Sequence, residues 1–241
     1  GDQMDAMIIY PPDFDDSKKY PVIMHVYAGP QAPRVRKRWG GQSYLWHQMM
    51  AQRGFIIWMC DNRSATYRGL DKTYPIYQDL GRRELADIED SLTWLKKQEG
   101  VDADRIGIWG WSYGGYMTGY AMTHSKSFKA GISGAPVTDW RNYDSIYTER
   151  YMGLPAENKK GYQDSSVINA AGNLHGRLLL IHGTQDDNVH ISNTYQLIHA
   201  LQEAGKEFDL MIYPKNRHGI RTPNPMRHLR QLMTDFFTKN L

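Results

Sequence analysis

The run Arg105-Ile106-Gly107-Ile108-Trp109-Gly110-Trp111-Ser112-Tyr113-Gly114-Gly115 decides how this chain is read. Arg105 to Trp109 has the apolar, bounded character of a buried strand, and the stretch from Gly115 to Thr123 is capable of forming a helix. Between them Gly110-Trp111-Ser112-Tyr113-Gly114 fits G-x-S-x-G, the pattern of a serine raised on a sharp strand-to-helix turn. A chain with 22 glycines and 12 serines produces that pattern by chance in about one case in ten, so the context carries the argument. Small flanking residues are needed because side chains at such a turn collide with sheet or helix. The turn also sets Ser112 beside a helix N-terminus, whose free backbone N–H groups can hold a developing oxyanion. A tight turn with a spectator serine is the competing reading.

A nucleophilic serine needs a histidine base and a carboxylate to orient it, in the chain order serine, acid, histidine on this kind of turn. Gly183-Thr184-Gln185-Asp186-Asp187-Asn188 follows the strand candidate Leu178 to His182, so two carboxylates stand at the C-terminal end of a parallel strand, where such sheets build their sites. His218 follows the next strand candidate, in the loop Pro214 to Gly219. Asp186 lies 74 residues after Ser112, and His218 lies 32 after Asp186. Of the nine histidines, only His218 sits in a loop after the final strand. His25 lies within a strand and His124 and His199 lie in or near helices, while His182 and His190 are weaker rivals close to the acid loop.

Outward from these loops, apolar runs alternate with helical periodicity along the chain, which indicates an α/β fold with a mostly parallel sheet. The strand candidates are Met4 to Tyr10, Val22 to Tyr27, Phe55 to Cys60, Arg105 to Trp109, Ala130 to Ser133, Leu178 to His182 and Leu210 to Tyr213. Those after the first read as buried on both faces. Leu85, Ile88, Leu92 and Leu95 recur at helical spacing, and Asn193 to Ala204 and Met226 to Phe237 do likewise. The stretch from Pro136 to Gly176, crowded with aromatics, is too long for an ordinary connection and reads as an insertion. Met4 to Tyr10 begins abruptly with no strand before it, so the chain reads as truncated at the N-terminal edge of its sheet.

Composition excludes several function classes. With 241 residues, 41% hydrophobic and 23% charged, the chain can build one full-sized core. A net charge of +3, scattered along the chain, does not point to a nucleic-acid partner. No apolar run approaches the roughly 20 residues of a membrane helix, so the chain reads as soluble. A single cysteine, Cys60, allows no internal disulfide and leaves the compartment open. Metal-binding patterns, P-loops and G-x-G-x-x-G are absent, so no metal and no cofactor are expected.

Several strings together resemble the prolyl oligopeptidase family of serine peptidases, and within it the dipeptidyl peptidase IV branch. They are Gly110-Trp111-Ser112-Tyr113-Gly114-Gly115, Val26-Tyr27-Ala28-Gly29-Pro30, His182-Gly183-Thr184, Asp186-Asp187-Asn188-Val189-His190 and His218-Gly219-Ile220. The most specific is Tyr143-Asp144-Ser145-Ile146-Tyr147-Thr148-Glu149-Arg150-Tyr151-Met152-Gly153-Leu154-Pro155. The resemblance runs nearly end to end. It implies an α/β-hydrolase catalytic domain over residues 1–241, with the insertion at 136–176, an acyl-enzyme on Ser112, His218 as base and Asp186, the first of the two aspartates, as orienting acid. Tyr27, through its hydroxyl, and Tyr113, through its backbone N–H, would form the oxyanion hole. Tyr143, Tyr147, Trp140, Val137, Asn188 and Val189 would line a pocket for the residue before the cleaved bond, a flat aromatic wall that suits proline. The implied activity is release of N-terminal dipeptides with proline or alanine second.

Family members carry an N-terminal β-propeller that grips the substrate's amino terminus, and this sequence contains no candidate for it. The implied partners are therefore a peptide substrate, that propeller and a second copy of the chain through its last helices. Resemblance to bacterial relatives favours an extracytoplasmic or periplasmic location. One departure from the family pattern is Ser64 in Asp61-Asn62-Arg63-Ser64, where relatives usually have glycine, which predicts a differently shaped turn after Cys60. The alternatives are another activity of the same family, such as an acylaminoacyl peptidase or esterase, and a non-catalytic module that binds partners.

Overall fold

The computed structural model describes residues 2–241. Seven strands form one sheet: β1 (Ala6–Ile9), β2 (Tyr20–His25), β3 (Ile56–Cys60), β4 (Val101–Trp111), β5 (Ala130–Gly134), β6 (Arg177–Gly183) and β7 (Asp209–Tyr213). Their spatial order is β1-β3-β2-β4-β5-β6-β7. All neighbouring pairs are parallel except the first, in which β1 runs antiparallel to β3 with Ala6 opposite Cys60. The stretch that begins the chain without a neighbour thus finds its partner some fifty residues later. The helices are α1 (Gly41–Gln52), α2 (Leu70–Thr73), α3 (Arg82–Leu95), α4 (Tyr113–His124), α5 (Ser145–Met152), α6 (Lys159–Asp164), α7 (Ser192–Glu203) and α8 (Pro223–Asn240). This is the α/β-hydrolase architecture. No helix among the described residues is long and apolar enough to cross a membrane.

Side chains alternate between two faces along a strand, and here each face has its own core. Val22, Met24, Ile56, Trp58, Ile106, Ile108, Leu178 and Leu180 join one cluster with α3, α4 and α7. Ile23, Ile57, Met59, Trp109, Leu179 and Ile181 join the other, beneath α1 and α8. Both faces of the central strands are therefore covered, which is why they read as nearly continuous apolar runs rather than alternating ones. Strand β7 departs from that expectation: it is the sheet edge, and Leu210 is 41% exposed. Helix α8 turns Leu229, Met233, Phe236 and Phe237 onto the sheet, so this segment covers the core.

Helix α1 carries no clean periodic signal, because Trp46, His47, Met50 and Ala51 are buried while Leu45 is 54% exposed. The stretch from Pro136 to Gly176 is folded: it contains α5, α6 and two short 3-10 turns. Asp144 caps α5 by accepting from the Tyr147 N–H at 2.8 Å, and Asn158 caps α6 by accepting from Gly161 at 3.1 Å. The turn after Cys60 is a 3-10 turn, Arg63–Ala65, in which the fully buried Ser64 accepts a hydrogen bond from Asn62 Nδ2 at 2.7 Å.

The sheet meets α4 through glycines. A Cβ on Gly114 would stand 2.3 Å from the Val26 carbonyl oxygen, and one on Gly110 would stand 2.4 Å from the Gly114 carbonyl oxygen. Backbone cannot yield at such distances as a flexible side chain can. Gly114→Ala is expected to lower stability by about 1–3 kcal/mol, seen as a drop in Tm of roughly 3–10 °C. Gly172→Ala, whose Cβ meets nothing nearer than 4.0 Å, is the control and should melt close to the parent; equal melting of both variants contradicts the close-approach argument.

Candidate active site

The strand-turn-helix segment puts Ser112 between β4 and α4 with φ 63° and ψ −118°. A non-glycine residue in that region is strained, and the surroundings must hold it there. They do so from both sides: the Ser112 N–H donates to the Gly134 carbonyl at 2.8 Å, and the Ser112 carbonyl accepts from Tyr116 at 2.9 Å as the first turn of α4 closes. Tyr113 is the first residue of α4, where a backbone N–H has no acceptor within the helix.

Asp186 and His218 are brought together by two stitched loops. Gln185 donates its N–H to the Asn216 carbonyl at 2.9 Å, and Thr184 Oγ1 accepts from the Lys215 N–H at 3.0 Å. Gly183 permits this approach, since a Cβ there would meet the Asn216 and Arg217 carbonyl oxygens at 2.4 and 2.5 Å. His218 Nδ1 lies 2.8 Å from Asp186 Oδ2, so Nδ1 carries the proton and donates it to the carboxylate, leaving Nε2 free to accept. Trp111 Nε1 donates to the His218 carbonyl at 2.6 Å, which ties the His218 loop to the residue before Ser112. Ser112 and His218 line one cavity of about 550 Å³. No hydrogen bond between Ser112 Oγ and His218 occurs among the described residues; such contacts commonly tighten only when substrate binds. Asp187, by contrast, is exposed and pairs with Arg217 at 3.1 Å.

The Asp186 side chain is completely shielded from solvent. Burial alone raises a carboxyl pKa, but hydrogen bonds from His182, His218 and the Asn188 N–H outweigh it, and Asp186 is held well below the usual carboxylate range. Asp186 is therefore ionised at neutral pH. His182, one of the weaker rivals for base, stands fully buried behind the acid: Nε2 donates toward Asp186 Oδ2 at 3.1 Å and the Val189 carbonyl at 2.9 Å, while Nδ1 accepts from Thr194 Oγ1 at 2.7 Å. Its signal in the sequence is a histidine ending the apolar run Leu178 to Ile181.

Of the six pocket candidates, Tyr143 and Asn188 line the cavity, joined by a 2.7 Å hydrogen bond from the Tyr143 hydroxyl to Asn188 Oδ1. Tyr147 is half-buried and meets Tyr143 edge-on at 5.5 Å. Trp140, Val137 and Val189 are at most 2% exposed and belong to the buried cluster against which Tyr143 and Tyr147 pack. Tyr27 lines the same cavity; Arg34 stacks over its ring at 3.9 Å, and its hydroxyl has no protein partner among the described residues.

A residue outside the motifs also belongs to this site. Glu84, fully buried, accepts from the Tyr113 hydroxyl at 2.6 Å and from the Gly81 N–H at 2.9 Å, so it braces the residue next to Ser112. Its signal was a carboxylate on the same helix face as Ile88, Ser91 and Leu95. Burial, only partly offset by the Tyr113 hydrogen bond, raises Glu84 from the ordinary 4.5 to about 7.

Residues 42–241 match the prolyl oligopeptidase family. The chain belongs to that family of serine peptidases. Over 241 residues it is 40% identical to dipeptidyl peptidase 8 of Mus musculus, a match spanning 98% of this chain and 27% of that protein. Dipeptidyl peptidase 4 of Bos taurus is 40% identical over 237 residues, 95% of this chain and 30% of that protein. The crystal structure of Porphyromonas gingivalis dipeptidyl peptidase 4 superposes with a TM-score of 0.95 at 41% identity, over 99% of this chain and 34% of that one. This prolyl oligopeptidase family chain thus spans roughly a third or less of the length of these relatives.

The Glu84 environment makes a stability prediction for the family fold. Between pH 4.5 and about 7 the folded chain keeps a proton on Glu84 that the unfolded chain has lost, so stability falls as pH rises through that window and then levels off. Glu84→Gln, neutral at every pH, is expected to lack that component: thermal melts from pH 4.5 to 8 should show the variant gaining on the parent up to neutrality. Parallel curves would mean that Glu84 is charged in the native state.

Proposed function

We propose that this chain is the catalytic domain of a serine-type dipeptidyl peptidase, cleaving after a penultimate proline or alanine through an acyl-enzyme on Ser112. The observation that carries the reading is the convergence on one cavity of a strained Ser112 and a His218 whose Nδ1 is tied to a buried, ionised Asp186. In this mechanism Ser112 Oγ attacks the substrate carbonyl and His218 Nε2 takes its proton. Asp186 stabilises the resulting imidazolium, and the Tyr113 N–H and Tyr27 hydroxyl hold the oxyanion. Collapse breaks the peptide bond as His218 passes the proton to the departing amine, and water then hydrolyses the ester by the reverse sequence of proton transfers. Proline before the cleaved bond is seated against Tyr143 and Tyr147, where a rigid ring loses little entropy on binding. The names of the relatives support dipeptide release. We further propose that residues 136–176 are the insertion that supplies this wall, and that recognition of the substrate's amino terminus falls to a propeller domain elsewhere in the protein.

Three outcomes test these assignments. Fluorophosphonate should label Ser112, and Ser112→Ala should abolish both labelling and hydrolysis of a Gly-Pro chromogenic amide; full activity in that variant removes the serine mechanism. Asp186→Asn is expected to lower kcat by about 10⁴-fold while Asp187→Asn stays near the parent; the opposite ranking would exchange their roles. Tyr27→Phe keeps the ring and deletes only the donor, so kcat should fall roughly 10²- to 10³-fold with little change in KM. A change confined to KM would assign the hydroxyl to substrate binding instead.

A further inference from the structure

The cavity that holds Ser112 and His218 extends well past them, toward the sheet face covered by α1 and α8. Its lining includes Arg34, Arg38 and Arg230, together with His25, Trp109 and Ser43, and among the described residues no aspartate or glutamate. The nearby carboxylates are spoken for or hidden. Asp61 receives the backbone N–H groups of Arg34 and Val35, at 2.8 and 2.9 Å, rather than a guanidinium. Asp186 is wholly covered behind His218. Among the described residues Arg230 Nη2 reaches only the Ser43 hydroxyl at 3.2 Å and Nη1 only the Met233 sulfur at 3.7 Å, and no carboxylate lies within ion-pair distance of it. Its guanidinium instead lies near the Trp46 and Trp109 rings, at 5.5 and 5.8 Å.

Polar groups at the floor of this region lack protein partners as well. Trp109 is 4% exposed and lines the cavity, yet its indole N–H meets no acceptor among the described residues. Among the described residues, His25, which stacks on Trp109 at 4.3 Å, leaves Nδ1 without a partner, and both ring nitrogens of the fully buried His47 behind them have none either. Buried donors without acceptors and a cation without an anion are each costly, and native structures rarely accumulate them without a ligand or water to answer them. Burial, nearness to His47 and the charges of Arg34 and Arg230 all hold His25 well below its usual range, so it stays neutral while the arginines supply the positive field.

The two halves of the cavity therefore differ in chemistry. Tyr143 and Tyr147 belong to the core on one side of the sheet, whereas Trp109, Trp111, Leu229 and Met233 belong to the core on the other. Under the peptidase reading above, on which this inference rests, the aromatic half takes the dipeptide and the basic half faces the departing peptide. We propose that the basic half, centred on Arg230, Arg34 and Trp109, is a subsite for a carboxylate of the leaving peptide, either an acidic side chain or the C-terminal carboxylate of a short substrate. A carboxylate offers two oxygens to the Arg230 fork, which holds only a hydroxyl and a thioether and no carboxylate among the described residues.

The test uses the intact protein. Gly-Pro-p-nitroanilide has no peptide beyond the cleaved bond and reports the peptidase reading alone. Amidated Gly-Pro peptides with Asp, Asn or Lys placed first, second or third after the bond then read the side-chain arm, and Gly-Pro-Gly as acid and as amide reads the C-terminal arm. At one position or in the acid form, kcat/KM should exceed its neutral counterpart about 10-fold or more, a preference that weakens in high salt. In Arg230→Gln that ratio should fall toward one, and Arg34→Gln, at a more exposed position, gives a second reading should Arg230→Gln fold poorly. Cleavage of the anilide with acid-to-neutral ratios near one throughout, or a ratio that survives both substitutions, overturns the subsite alone. Failure to cleave the anilide overturns the peptidase reading and the subsite with it.

Discussion

The close approach of α4 to the C-terminal ends of β2, β4 and β5 is the constraint on which the rest of the site depends. Gly110, Gly114 and Gly115 leave no room for a side chain: added Cβ atoms would meet backbone oxygens of Gly114, Val26 and Gly134 at 2.2 to 2.4 Å. With those contacts in place, the chain between strand and helix has no relaxed path, and Ser112 is held at φ 63°. The strain is paid for by the packing of α4, whose residues from Tyr113 to Thr123 are all buried. The same geometry leaves the first N–H of the helix without an acceptor beside the serine.

Environment separates the carboxylates of the site into opposite roles. Asp186 and Glu84 are both buried, yet one is held ionised and the other is pushed toward neutrality. The difference is in their partners. Asp186 collects hydrogen bonds from two imidazoles and two backbone N–H groups, at 2.8 to 3.1 Å, so its negative charge is solvated by the protein. Among the described residues Glu84 has a phenol and the Gly81 N–H and no cation in contact, so loss of water dominates. An ionised acid holds an imidazole in one orientation, and a nearly neutral one braces Tyr113 without adding negative charge beside Ser112.

The sheet also divides the cavity. Because neighbouring residues of a strand point to opposite faces, Trp109 and Trp111 look toward α1 and α8, while Ile108 and the helix that follows Ser112 join the aromatic core with Trp140. Ser112, at the strand's end, stands where the two environments meet. On one side of this point Tyr143 and Tyr147 meet edge-on, and on the other stand Arg34 and Arg230, so the two sides of the cavity offer chemically distinct surroundings.

Much of this was legible in the chain of letters, and the reasons are local. G-x-S-x-G marks its own turn because only glycine tolerates the contacts there, and doubly covered strands such as Ile56–Cys60 and Arg177–Gly183 announce themselves by unbroken apolar runs. The α/β class and Ser112 and His218 as candidates follow from such signals, while the family, and Asp186 over Asp187, are expected from the resemblance of whole strings. Other features depend on residues far apart in sequence. The exposed face of β7 reflects its place at the sheet edge, and the burial of Trp140 reflects the tyrosines packed around it, Tyr113, Tyr116, Tyr143 and Tyr147. Neither can be read from local periodicity. Glu84 touches Tyr113 across 29 residues, and Arg230 reaches Ser43 across 187. Such pairings are selected by the packing of helices on the sheet, so the sequence determined which chemistry was available and the tertiary structure decided which groups were brought face to face, with which charges left unanswered.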